Sequence, residues 1–226
     1  MNNFGGSIIL KIKSNLTSFI NNLPQLLKKI QLKLENIILL GHSMGCLVAL
    51  NYYDIFDKYK IDKLILIDEP PIRIKENDWT ENESKKYGAT FSPNDVIIFS
   101  KKALTEDSIQ FSEQLIDSMT TTSISKENKN WLLEQNLKFN KKHLSALMCN
   151  MTFSDERDIL SRIDVPTLLI GGKVSIFPWQ AQVWMNKQIP NSELVIFEED
   201  EGGSHFMFLE NAKKFNQIVK LFLSEK

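Results

Sequence analysis

The chain has 226 residues, 42% of them apolar, with 27 basic against 28 acidic side chains and a net charge of −1. That composition excludes a disordered chain and suits one large domain, or a core carrying an insertion. The even charge balance leaves no basic excess for nucleic acid or an anionic membrane surface, and the only guanidinium forks are Arg73, Arg157 and Arg162.

In chain order, Met1–Ser7 has no charged stretch ahead of an apolar one, so it does not read as a signal peptide. Ser7–Leu10 is at best the stub of a strand. Residues 14–33 space Leu16, Phe19, Ile20, Leu23, Leu27 and Ile30 at helical steps, with Pro24 set to kink or split the helix. Ile37–Leu40, Leu64–Ile67, Thr167–Ile170 and Leu194–Phe197 are short continuous apolar runs, as expected of parallel strands covered on both faces. Residues 44–59 and 208–224 read as helices. Between residues 71 and 160 the rhythm breaks. Val96–Phe99 is the single strand-like run there, and Ser125–Asn150 is strongly helical in pattern.

The expectation is an α/β fold: a mostly parallel sheet flanked by helices, with residues 1–70 and 161–226 as the core and 71–160 as a helical cap insertion. Cys46 and Cys149 can form one bridge at most, and no apolar run approaches the ~20 residues of a membrane span. A soluble, reducing, cytoplasmic setting is therefore expected. In that setting the Asn-x-Ser/Thr triplets at Asn15, Asn82 and Asn150 are chance matches.

The chemistry concentrates in Leu39-Leu40-Gly41-His42-Ser43-Met44-Gly45-Cys46, a Gly-x-Ser-x-Gly between an apolar strand and an apolar helical run. Such a turn lifts the Ser43 hydroxyl above the carboxyl end of the sheet, with glycine at 41 and 45 letting backbone pass close by. The Met44 N–H at the helix start is a candidate oxyanion donor. A serine nucleophile needs a base, and the chain offers His42, His143 and His205. His42 adjoins the nucleophile and reads as a packing residue, and His143 reads as a surface residue of the cap. His205 follows Gly202-Gly203-Ser204 after the last strand, where a glycine loop can carry an imidazole to Ser43. No His/Cys cluster has metal-ligand spacing, so neither metal nor cofactor is expected. Cys46, inside the helix, reads as a structural thiol.

Three segments, Gly41–Gly45, Val165–Gly172 and Gly203–Asn211, resemble in order and spacing the α/β-hydrolases of the esterase, perhydrolase and non-haem haloperoxidase branch. The resemblance covers residue 14 to the end. It implies Ser43 as nucleophile, His205 as base and 71–160 as the family's variable cap. The family's usual acid would follow the strand Thr167–Ile170, but that pattern reads Gly172-Lys173-Val174-Ser175, without a carboxylate. Relatives that move the acid keep it at the end of the strand after the nucleophile helix. There Asp68 is the first candidate, Glu69 the second, and a structural role for both is the alternative.

The resemblance also implies strands before Ile37 and a His-Gly oxyanion loop, neither of which the first 36 residues show. Two readings follow. One is a serine hydrolase of carboxylic esters or related acyl substrates. The other is an N-terminally truncated, impaired relic that acts by binding. The partners expected are a small acyl or ester substrate and, for the sheet edge, a second copy or a completing N-terminal segment. Trp79, Trp131, Phe91, Phe99 and Phe111 are candidates for an apolar pocket lining.

Overall fold

The structure, a computed structural model, describes residues 37–56, 61–105 and 107–224. The strand expected at Ser7–Leu10 and the helix expected over 14–33 lie outside the described residues.

Among the described residues four parallel strands, β1 (Ile37–His42), β2 (Ile61–Ile67), β3 (Thr167–Gly172) and β4 (Ser192–Phe197), form one sheet in the order β1-β2-β3-β4. The period-two alternation of strand side chains sorts the core into two layers. Leu64, Leu66 and Leu169 face one side and pack on Cys46, Leu50 and Tyr52 of α1 (Met44–Ile55) and Met185 of α8 (Gln180–Gln188). Ile65, Ile67, Leu168 and Ile170 face the other and pack on Phe197 and on Phe222 of α10 (Ala212–Ser224). β3 is buried along its whole length, as an inner strand covered on both faces must be. β1 is the edge strand among the described residues, and its Ile38 and Leu40 are 43% and 51% exposed.

Between β2 and β3 the described residues form six helices. They are α2 (Glu81–Tyr87), α3 (Pro93–Thr105), α4 (Ser108–Met119), α5 (Lys126–Leu137), α6 (Lys141–Thr152) and the short α7 (Arg157–Leu160). Local caps set their starts. Thr80 and Glu83 form a capping box at α2, while Asp107, Ser125 and Asn140 accept backbone N–H bonds at the starts of α4, α5 and α6. α3 packs on α6 and α4 on α5.

Val96–Phe99 is helical, which corrects the strand reading. Pro93 opens α3, where its missing N–H costs nothing. Ser92 and Asp95 bond each other's backbone N–H groups across the first turn, at 2.7 and 3.2 Å. These start signals outweigh the β-branched run that follows. The long helix read over 208–224 is two, α9 (Met207–Glu210) and α10, parted at Asn211.

Candidate active site

The site is built where β1 and β2 end side by side. The Ser43 N–H donates to Ile67 O at 2.9 Å, and one strand further the Asp68 N–H donates to Ile170 O at 2.8 Å. Both residues have φ of 53°, and among the described residues they are the only non-glycine residues with positive φ. L side chains rarely adopt that conformation, so the sheet rim holds two strained residues at neighbouring strand ends.

Gly41 makes the first turn possible. A Cβ there would lie 2.4 Å from the Gly45 carbonyl oxygen, so strand and helix approach too closely for any side chain. Gly45 differs from the sequence expectation: a Cβ there would meet nothing within 4 Å. The close approach belongs to the strand-side glycine alone.

His205 reaches the same rim from the loop after β4. Gly172 lets this loop lie directly on the end of β3, since a Cβ there would sit 2.1 Å from Gly203 O. Ser204 then anchors the loop by donating its Oγ hydrogen to Glu210 Oε1 at 2.6 Å and accepting the Phe206 N–H at 3.0 Å. Glu210 also accepts from Thr121 and Ser123, which ties the imidazole loop to the α4–α5 connection. The His205 ring is buried, and its Nδ1–H donates to Asp68 Oδ2 at 2.6 Å. The Ser175 hydroxyl donates to the same Oδ2, while Oδ1 is buried without a hydrogen-bond partner among the described residues.

The second carboxylate candidate, Glu69, points elsewhere. Its Oε1 pairs with Arg73 Nη1 at 3.1 Å, and Arg73 in turn pairs with Glu156 at 2.6 Å. Arg73 is fully buried and also donates to the carbonyls of Pro70, Met151 and Ser154. The cluster bolts the end of α6 to the strand end beside Asp68. Burial raises the Glu69 carboxyl to about 7 against the opposing pull of the Arg73 guanidinium.

His42 is more than a packing residue. Its Nε2–H donates to the His205 carbonyl at 2.8 Å, and the two rings lie 4.5 Å apart between centroids. Burial, helped by the neighbouring His205, lowers the His42 ring to about 3, so it is the neutral ring that holds the loop. Cys46 is a buried thiol donating to Gly41 O and Ile67 O, and burial pushes its pKa upward. His143 is exposed on α6.

Ser43, Met44 and His205 line one cavity of about 450 Å³, and residues of α3, α4 and α6 line it with them. Among the described residues no hydrogen bond joins the side chains of Ser43 and His205. Of the aromatic residues put forward as lining, Phe91 and Phe99 line the cavity. Phe111 packs behind Phe99, Trp79 stacks on Tyr87, and Trp131 is half exposed on α5. The helical spacing around Trp131 could not tell the inner from the outer face of that helix.

Sequence reasoning passed over two supporting residues, Arg73 and Glu210, and met Ser175 only as the place where a carboxylate is missing. Arg73 had a usable signal. It stands four residues after Glu69 in a chain with three arginines. Ser175 acts through a contact 107 residues away, and Glu210 links Ser204, six residues before it, to Thr121, 89 residues before it. Among the described residues there is no group of three or more His, Cys, Asp or Glu placed to hold a metal ion, and no helix long and apolar enough to cross a membrane.

The chain is 30% identical over 194 residues to the AB hydrolase superfamily protein YisY of Bacillus subtilis, covering 84% of this chain and 68% of that protein. It is also 30% identical over 232 aligned residues to a putative non-heme chloroperoxidase of Synechocystis sp., covering 97% of this chain and 78% of the other. Its fold superposes on an esterase from Exiguobacterium antarcticum with a TM-score of 0.80 at 21% identity, over 93% of this chain and 75% of that one. The sequence model of the alpha/beta hydrolase fold matches residues 19–212. With the serine turn, the parallel sheet and these matches together, the chain belongs to the alpha/beta hydrolase fold family.

Proposed function

We propose that this hydrolase cleaves carboxylic esters through an acyl-enzyme, with Ser43 as nucleophile, His205 as general base and Asp68 as the acid that orients it. The observation that carries the reading is the 2.6 Å bond from His205 Nδ1–H to Asp68 Oδ2, in a histidine that lines the same cavity as Ser43. With Nδ1 protonated, the free Nε2 can take the proton as Ser43 Oγ attacks the ester carbonyl. Met44 opens α1, so its N–H has no intrahelical acceptor and is available to the developing oxyanion. His205 Nε2–H then protonates the leaving alcohol as the C–O bond breaks. Water repeats the sequence on the acyl-enzyme and frees the acid. Catalytic hydrogen bonds often tighten only around substrate, so the reading does not require a Ser43–His205 hydrogen bond in the free enzyme.

Residues 71–160 serve as the cap over the acyl pocket. Glu69 serves the Arg73 cluster and not the imidazole. The reaction asks for no cofactor. Hydrolysis of p-nitrophenyl hexanoate tests the reading. Ser43→Ala and His205→Ala should each lower kcat by about 10⁴-fold or more. A Ser43→Ala protein that turns over at the wild-type rate would exclude it.

A further inference from the structure

Resting on that reading, we infer that the acyl part of the substrate is an uncharged, flexible hydrocarbon chain, and that chains ending in a carboxylate are rejected. The cavity wall decides this. Four methionines (Met44, Met119, Met148 and Met151) line it together with Phe99 and Phe177. Methionine is unbranched and polarizable, so such a wall adapts to a flexible chain and does not template one rigid shape.

Two of the hydroxyls in the wall are already occupied. Ser118 Oγ donates to Leu115 O, and Thr152 Oγ1 donates to Met148 O, each closing back on its own helix. The hydroxyl with capacity to spare is Thr90 Oγ1, buried and without a partner among the described residues. A neutral hydroxyl can solvate a carbonyl but cannot neutralise an anion.

Among the described residues no lysine or arginine lines the cavity, and the charged side chain that does, Asp95, is a carboxylate at the exposed rim, committed to Ser92. A chain carrying its own carboxylate would meet a like charge on entry and no cation among the described lining residues. Phe139, 47% exposed, lines the cavity and gives the chain an apolar way in. The volume of about 450 Å³ corresponds to roughly fifteen water-sized groups, enough for a chain of about six to ten carbons.

The test uses the full chain and matched p-nitrophenyl esters: acetate, hexanoate, and the monoester of adipic acid. Hexanoate and the adipate ester have the same number of acyl carbons and differ by a terminal carboxylate. Burial of each methylene supports up to about a fourfold gain, so kcat/KM should rise by up to about 250-fold from acetate to hexanoate. The adipate ester should fall about 100-fold or more below hexanoate. Labelling of Ser43 by a fluorophosphonate is measured in parallel. If Ser43 labels and adipate is cleaved as well as hexanoate, or acetate as well as either, the inference is overturned while the esterase reading stands. If Ser43 does not label and no ester is cleaved, the reading itself fails and the inference falls with it.

Discussion

Asp68→Asn keeps the shape of the side chain and removes the charge that accepts the His205 Nδ1 hydrogen. The amide can turn its NH2 toward Nδ1. The imidazole then carries its proton on Nε2 and cannot take one from Ser43. Asp68 is 1% exposed, so water has no room to replace the lost carboxylate. The comparable change in a serine triad lowers kcat by about 10⁴-fold, or about 5 kcal/mol of transition-state stabilisation. The structure also indicates a way back. The Ser175 hydroxyl already touches the same carboxylate oxygen, at the position where most of the resembled family carries its acid. Ser175→Asp placed in the Asp68→Asn background should therefore restore kcat by about tenfold or more. The assay is p-nitrophenyl hexanoate turnover, on variants whose circular dichroism and thermal midpoint match the wild type. The reasoning is refuted if Asp68→Asn stays within about tenfold of wild type. It is equally refuted if Glu69→Gln causes the larger loss.

Three further predictions concern the frame. Gly41→Ala forces backbone apart at a 2.4 Å contact and should cost about 3 kcal/mol in urea unfolding. Gly45→Ala meets open space and should stay within about 1 kcal/mol of wild type, so equal effects at the two glycines would contradict the turn geometry. His42 and Glu69 should oppose each other in pH dependence. His42 is neutral in the fold down to about 3 but takes up a proton near 6.5 when unfolded, so its contribution is lost as pH falls from 6.5 toward 3. Glu69, raised to about 7 from 4.5, loses its contribution as pH rises from 4.5 to 7. Between pH 4.5 and 6.5 the two slopes cancel, each at most about 1.4 kcal/mol per pH unit and less for the part-buried His42. Urea midpoints should thus fall with acid in Glu69→Gln and rise with acid in His42→Gln, and parallel curves for both variants and wild type would overturn the assignment. Arg73→Met leaves Glu69 and Glu156 buried without their cation and should destabilise by about 3–5 kcal/mol, and a loss under about 1 kcal/mol would show that the cluster holds little.

The fold was readable because the four apolar runs are short, continuous and separated by helical periods, a pattern few architectures share. The segments that carry Ser43 and His205 stand out in the sequence because each is a local motif whose glycines announce a turn. For the partner of the imidazole the sequence offers Asp68 first and Glu69 second, with no local signal that decides between them. Asp68 and Glu69 are consecutive at a strand end, so their side chains diverge, and which one faces His205 depends on the positive φ at Asp68 and on Arg73 capturing Glu69. The strand reading of Val96–Phe99 weighed β-branched residues above the Ser92-Pro93-Asn94-Asp95 start signal, although that signal is local and stands in the sequence. The lining of the cavity was illegible for a different reason. Helical spacing marks an apolar stripe but not what lies against it, and α3 to α6 expose Ile97, Leu104 and Trp131 while turning Phe99 and Met148 inward.

The central claim is that the Ser43 hydroxyl is made nucleophilic by the buried His205–Asp68 pair. Mass spectrometry of the full chain after exposure to a fluorophosphonate tests this most directly. One adduct per chain is expected, mapped to Ser43 and forming at least about 100-fold more slowly in His205→Ala. An unmodified Ser43 in the folded protein, or labelling that proceeds equally fast without His205, would contradict it.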